Sequence, residues 1–182
     1  MKKISVILVS ILIVLVMSGF TSFNTISSGK KKFDLEDLYD YQKQYKFISL
    51  SEAYHKLHKN WFRIGKYAVL TCDDGFASVQ DVLPFLEKNR IPVTLFINPK
   101  YLNGICKREG YAKNPQYITN KELFSIKSDY VTIGMHGFEH NDATKLTKEE
   151  FLESVDRCIG VLEEHPRYIP YYAYTWGNYC LC

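Results

Sequence analysis

The sequence predicts an α/β fold, a parallel sheet or partial (β/α) barrel in which about four strands alternate with helices. Three observations carry this. Short continuous apolar runs recur from Lys66 onward, the pattern of strands covered on both faces. Between them lie segments with apolar residues at helical spacing and capping signals at their starts. At 182 residues and 46% hydrophobic, the chain is also long enough for one domain with its own core.

The elements can be justified in order. Lys2 and Lys3 precede Ile4 to Met17, which is apolar apart from Ser5 and Ser10, and Val16 and Ser18 supply small residues before a cleavage point. Residues 1–20 are therefore expected to be a signal peptide or a signal anchor. The run is short for a membrane span, which needs about 20 residues. Lys30 to Lys32 would lie on the outer side of an anchored chain, which disfavours that topology. The expectation is an exported protein: extracellular, periplasmic or membrane-anchored.

Residues 21–65 read as a linker and a helical lead-in. Thr21 to Lys32 is rich in Ser, Thr, Gly and Lys. From Phe33 to about Lys59 the pattern is helical, with Ser49 and Glu52 as a capping box ahead of Ala53, Tyr54 and Leu57. His55 and His58 on that helix read as solvated surface rather than ligands.

Residues 66–182 form the alternating part. Tyr67 to Cys72 reads as the first buried strand and Val79 to Lys88 as a helix burying Val82, Leu83, Phe85 and Leu86. Pro92 to Ile97 is the second strand, and Asn98 to Ile118, with its Pro, Gly and Asn, reads as a long loop. Thr119 with Glu122 opens a short helix, and Val131 to Met135 is the third strand, delivering His136 at its end. Thr147 with Glu150 caps the strongest helix, where Phe151, Leu152, Val155, Cys158, Ile159 and Leu162 recur at helical spacing. Ile169 to Tyr174 is the fourth strand. In alternating folds of this kind the active site lies at the carboxyl ends of the strands. Asp73, Asp74, His136 and the Thr175-Trp176-Gly177 turn all fall there.

Composition narrows the function. A formal net charge of +3 with scattered lysines gives no electrostatic case for nucleic acid. The 14 Tyr and 11 Phe are mostly core, with any exposed ones available as platforms for sugar rings. Five cysteines, at 72, 106, 158, 180 and 182, are an odd number. Cys72 in a strand and Cys158 on an apolar helix face read as buried free thiols rather than a disulfide framework, and the Cys180-Leu181-Cys182 pair as incidental.

The chemistry lies in Asp73-Asp74-Gly75 and in His136-Gly137-Phe138-Glu139-His140. Two adjacent carboxylates can address one site only if the strand ends between them, and Gly75 allows a sharp exit. Crowded together they raise one pKa, a difficulty that a divalent cation removes. The alternative is that both acids merely cap the next helix. His136 and His140 have the spacing of ligands on one side of a brief turn. Joined with a carboxylate they make a nitrogen, nitrogen, oxygen set that suits a catalytic Zn²⁺, other first-row ions having similar preferences.

Asp73-Asp74-Gly75 in its strand, Ile91-Pro92-Val93-Thr94-Leu95-Phe96, and His136 to His140 resemble the motifs of the polysaccharide deacetylases (the NodB homology domain, carbohydrate esterase family four). The resemblance covers about Tyr67 to the end of the chain. It implies a partial barrel of the polysaccharide deacetylase type. It also implies Asp73 as catalytic base, a divalent metal, expected to be Zn²⁺, on Asp74, His136 and His140, and an acetylated polysaccharide as partner. Tyr172 to Gly177 resembles a third motif, in which the backbone N–H of Trp176 would bind the oxyanion, with Tyr174 on the substrate side. The implied reaction is hydrolysis of an acetyl group from an N-acetylated or O-acetylated glycan at the cell envelope.

The chain departs from the pattern in two places. Ala173 stands where many members carry an Arg, and the later family motifs, a tryptophan segment and a Leu-x-His, have no counterpart before Cys182. The expectation is the first part of a deacetylase. The competing readings are a truncated, non-catalytic glycan- or metal-binding remnant and a purely structural secreted domain.

Overall fold

A computed structural model describes residues 12–18, 35–58, 66–105 and 116–177. The predicted strands appear as β3 (Tyr67–Asp73), β4 (Val93–Ile97), β7 (Val131–Met135) and β8 (Tyr168–Tyr172). All pair in parallel, in the order β3-β4-β7-β8. The sheet is open, an α/β arrangement consistent with part of a barrel.

The helices of the alternating part are α3 (Val79–Lys88), α4 (Asn120–Ser125) and α5 (Lys148–Leu162). Both predicted capping boxes after β4 form in full. Thr119 and Thr147 accept the backbone N–H of Glu122 and Glu150, and each Glu carboxylate accepts its cap residue's own N–H. Each cap of this kind is worth about 1 kcal/mol. Leu152, expected on the apolar face of α5, is instead 48% exposed. The helix turns only a narrow stripe, centred on Cys158 and Leu162, into the core.

The continuous apolar strands follow from burial on both faces. Leu70, Cys72, Leu95, Ile97, Ile133 and Met135 pack with Val82, Leu86, Leu123, Cys158 and Leu162 in the main core. Val69 points the other way, against Ile48 and Ala53. Fully burying one such aliphatic chain contributes about 1.5–3 kcal/mol, so the two layers dominate the stability of the sheet. Cys72 and Cys158 are buried free thiols, as expected; Cys106, Cys180 and Cys182 lie outside the described residues.

Four further strands were not anticipated. Leu12–Ser18, inside the segment expected to direct export, forms β1 and pairs in parallel along the whole of β3, from Leu12 beside Tyr67 to Ser18 beside Asp73. The reason is physical: a run of Leu, Ile and Val has high β-propensity, and a short apolar run does not distinguish a helix from a buried strand. Among the described residues no helix is long and apolar enough to cross a membrane. The lead-in is also divided. It forms α1 (Leu35–Gln44), the short β2 (Lys46–Phe47) beside the start of β3, and α2 (Leu50–His58). The Ser49 hydroxyl accepts the Glu52 N–H as the cap pattern required (3.1 Å), and His55 is exposed. The predicted linker and the side chain of His58 lie outside the described residues.

The expected loop after β4 contains a 3-10 turn at Pro99–Tyr101 and an antiparallel pair, β5 (Asn103–Ile105) with β6 (Gln116–Thr119). Periodicity missed these strands because each is too short to express it.

Candidate metal centre and active site

The carboxyl ends of β3, β4, β7 and β8 share one rim, and the site is assembled there. β3 ends at Asp73. The chain then turns through two left-handed residues, Asp74 (φ 74°) and Gly75 (φ 73°), so Asp74 leaves the strand's alternation. The glycine is required, since its φ is unfavourable for a side chain and a Cβ would stand 3.0 Å from Ile97 Cδ1. The helix-capping alternative for the two acids fails: α3 begins at Val79 with Ser78 as its cap residue.

The second half of the site comes from β7. His136 follows its last residue, and its N–H still donates to Ile97 O (3.0 Å), one more rung of the ladder with β4. The chain then leaves the sheet at Gly137 (φ 74°) and reaches His140, itself left-handed (φ 60°). No helix forms here; the histidine spacing is set by a loop. Non-glycine residues in this region are strained and cluster at functional sites, and Asp74, His140 and Trp176 (φ 60°) all belong to this rim.

The structure brings Asp74, His136 and His140 together. Asp74 Oδ1 lies 3.1 Å from His140 Nε2 and 3.7 Å from His136 Nε2. The two imidazoles are 5.0 Å apart, steeply inclined. One donor atom from each residue falls within 4.8 Å of the others, and all three side chains are buried. The tautomer of His136 is assigned by its surroundings. Nδ1 lies 2.9 Å from the carbonyl oxygen of Ala173, which only accepts, so Nδ1 carries a proton and Nε2, on the Asp74 side, is the nitrogen left for a cation. A histidine ligand oriented by a carbonyl on its far nitrogen is the usual support of a metal site. Buried nitrogen, nitrogen and oxygen donors at this separation fit a divalent cation.

Asp73 stands at the strand end beside them, half-buried. Burial first, and the Asp74 carboxylate second, push it up to about 7. A carboxyl poised there exchanges protons near neutrality. The neighbouring Cys72 thiol is raised by burial and then by both acids, and it is not among the donors that cluster with Asp74.

The aromatic side of the rim comes from β8 and the turn after it. Trp176 is 65% exposed, and its ring meets His140 edge-on at 4.9 Å. Tyr174, 45% exposed, belongs instead to a group with Phe151 (6.2 Å, nearly parallel) and Tyr172 (5.2 Å). The Thr175 hydroxyl donates to Asn141 O (2.5 Å), fastening this turn to the histidine loop.

Several supporting residues escaped the sequence reading. Tyr101 packs in a buried aromatic cluster with Phe76 and Tyr117, and its hydroxyl donates to Glu139 O (2.9 Å). One cluster thus joins the turn that carries Asp74 to the loop that carries His140. Arg157 lies over the Phe138 ring at 3.8 Å, and the Ser154 hydroxyl accepts the Phe138 N–H (3.0 Å). Tyr101 and Tyr117 fall in the stretch expected to be a loop, and no local signal marks their packing on Phe76.

The sequence profile of the polysaccharide deacetylases matches residues 63–179. Among solved structures, IcaB from Ammonifex degensii is 24% identical with a TM-score of 0.69, the match spanning 93% of this chain and 76% of that one. Streptococcus pyogenes deacetylase PplD, solved with acetate, is 20% identical at a TM-score of 0.62, over 93% and 75%. The BpsB deacetylase domain from Bordetella bronchiseptica is 16% identical at 0.60, over 85% and 75%. At these identities the structures speak for a shared fold. No curated protein sequence matches the chain.

Proposed function

This chain belongs to the polysaccharide deacetylase family, and from that premise we propose that it is a metal-dependent hydrolase removing acetyl groups from N-acetylated or O-acetylated polysaccharide at the cell envelope. The observation that carries the proposal is the buried Asp74, His136 and His140 cluster, with His136 held in the tautomer that frees Nε2. These three residues would hold the cation, and Zn²⁺ suits two imidazoles and one carboxylate. When bound, such an ion supplies Lewis acidity and lowers the pKa of water towards neutrality.

The chain's own groups account for the remaining chemistry. Asp73 takes a proton from the attacking water as a bond forms to the acetyl carbon. The backbone N–H of Trp176 stabilises the charge on the carbonyl oxygen. The proton held by Asp73 is then available to the departing nitrogen or oxygen, so that water and the acetylated sugar yield acetate and a free amine or hydroxyl. Trp176 and Tyr174 offer exposed rings at the rim as stacking faces for sugars. The apolar run behind Lys2 and Lys3 supports export, which fractionation of the producing cells would test.

Acetate release from acetylated chito-oligosaccharides is the direct assay. It should vanish with Asp73→Asn and with a chelator, and return when the metal is restored. Insensitivity to both would reject the proposal. A second reading, a non-catalytic glycan- or metal-binding remnant, is favoured by Ala173, which offers no charged group to orient Asp73. Stoichiometric metal without turnover would establish that reading, and measurable turnover would remove it.

A further inference from the structure

We propose that Asn98 is a positioning residue for the metal centre, setting the separation of His136 and His140 by holding the backbone between them. The inference rests on the reading of Asp74, His136 and His140 as metal ligands. Asn98 follows the last residue of β4 and is 1% exposed. Its side-chain Nδ2 donates to two consecutive carbonyls, His136 O and Gly137 O, the latter at 2.8 Å. Both carbonyls only accept, so the amide must present its NH₂ to them.

The next two carbonyls of the loop are held from the same short segment. Lys100 N–H donates to Phe138 O (3.1 Å), and the Tyr101 hydroxyl donates to Glu139 O (2.9 Å). Four successive carbonyls, from the first histidine to the residue before the second, therefore end on residues 98–101. Gly137 makes this necessary. Its left-handed turn takes the chain off the sheet, and the ladder between β4 and β7 stops at the His136 N–H. Two carbonyls at a buried exit need donors that backbone no longer supplies.

The residue type follows from that requirement. One neutral NH₂ satisfies two acceptors, whereas Ser or Thr offers one donor, and Lys or Arg would set a buried positive charge beside the cation. Asp has the same shape but only acceptors when ionised. The cost is visible: Asn98 Oδ1 is buried without a hydrogen-bond partner among the described residues. Nothing in β4 itself demands that cost. The two carbonyls do.

Titrating Zn²⁺ against a competing chelator tests this, with circular dichroism to establish folding. Asn98→Ala and Asn98→Asp should bind Zn²⁺ about 10–100-fold more weakly than the parent, the usual loss when support behind a metal ligand is removed. Leu162→Ala, a core truncation that lowers stability without touching the loop, should bind as the parent does. A folded Asn98→Ala within about twofold of the parent overturns the proposal, as does an equal loss in Leu162→Ala. A parent chain that binds no Zn²⁺ overturns the metal reading itself, a separate and recognisable failure. Should both Asn98 variants fail to fold, the parent still decides. Its Asn98 side-chain NH₂, followed by ¹⁵N NMR, should exchange slowly and shift when Zn²⁺ is added. A fast-exchanging or unresponsive amide refutes the role.

Discussion

Removing the charge of Asp73 should make the metal-free protein more stable while abolishing hydrolysis. The carboxyl is raised from its ordinary 3.8 to about 7, by burial and then by Asp74. The folded state therefore binds this proton more tightly than the unfolded chain does. Its stabilising contribution is complete below about pH 4 and is lost as pH rises through about 7. At about 1.36 kcal/mol per pH decade, the displacement corresponds to about 4 kcal/mol, and partial exposure of the group lowers the expected figure to about 2–3 kcal/mol. Asn has nearly the same shape and no charge. Asp73→Asn should match the parent near pH 4 and exceed its stability by about 2–3 kcal/mol at about pH 8. Denaturant unfolding across that range, with a chelator present, measures the gap. Excess divalent cation should narrow it, because the ion neutralises the Asp74 charge that burdens Asp73. A gap independent of pH, or a variant less stable than the parent at about pH 8, would refute the reasoning.

Two other expectations concern the same rim, and a third the opposite end of the sheet, ahead of β8. His140→Ala removes one of three clustered donors and should weaken Zn²⁺ binding by more than about 100-fold, beyond the loss expected from a supporting residue, with acetate release falling to background. Gly137→Ala should destabilise the fold by about 1–2 kcal/mol in denaturant titrations, because alanine is strained at a left-handed φ and its Cβ would lie 3.0 Å from the Tyr172 hydroxyl oxygen. The third concerns His165, which is buried and neutral. Its Nδ1 accepts the Arg167 N–H (3.1 Å) and its Nε2 donates to Leu123 O (3.1 Å). Burial lowers its pKa more than the Leu123 bond raises it. The contribution of His165 is full above about pH 6.5, its unfolded value, and declines as pH falls below that. His165→Leu should flatten this acid-side loss of melting temperature; an unchanged slope would disprove it.

Much of the site was legible in the sequence because its signals are local. An apolar run stopped by Asp-Asp-Gly announces a strand end, and that is where β3 stops. The Thr and Glu pairs before α4 and α5 name their own caps, since both partners lie within one turn. Asp74, His136 and His140 could be singled out by residue type and by their positions after strands. Their approach to within 4.8 Å of one another could not, because it depends on the register of β3, β4 and β7.

The limits are equally physical. Leu12–Ser18 carries an apolar pattern that fits a helix or a buried strand equally, so its pairing along β3 could not be read from the sequence. Asn98 looked like the first residue of a loop, since no local rule says that its amide will meet two carbonyls almost forty positions away. The same holds for the Ala173 carbonyl that assigns the His136 tautomer. By itself the chain determined the four strands and the helices of the alternating part and which side chains can bind a cation, because period, turn chemistry and functional groups reside in neighbouring residues. Only the tertiary structure decided which strands adjoin, which backbone groups are left needing donors, and which side chains satisfy them. Those outcomes depend on closing long loops, and short-range pattern does not encode that geometry.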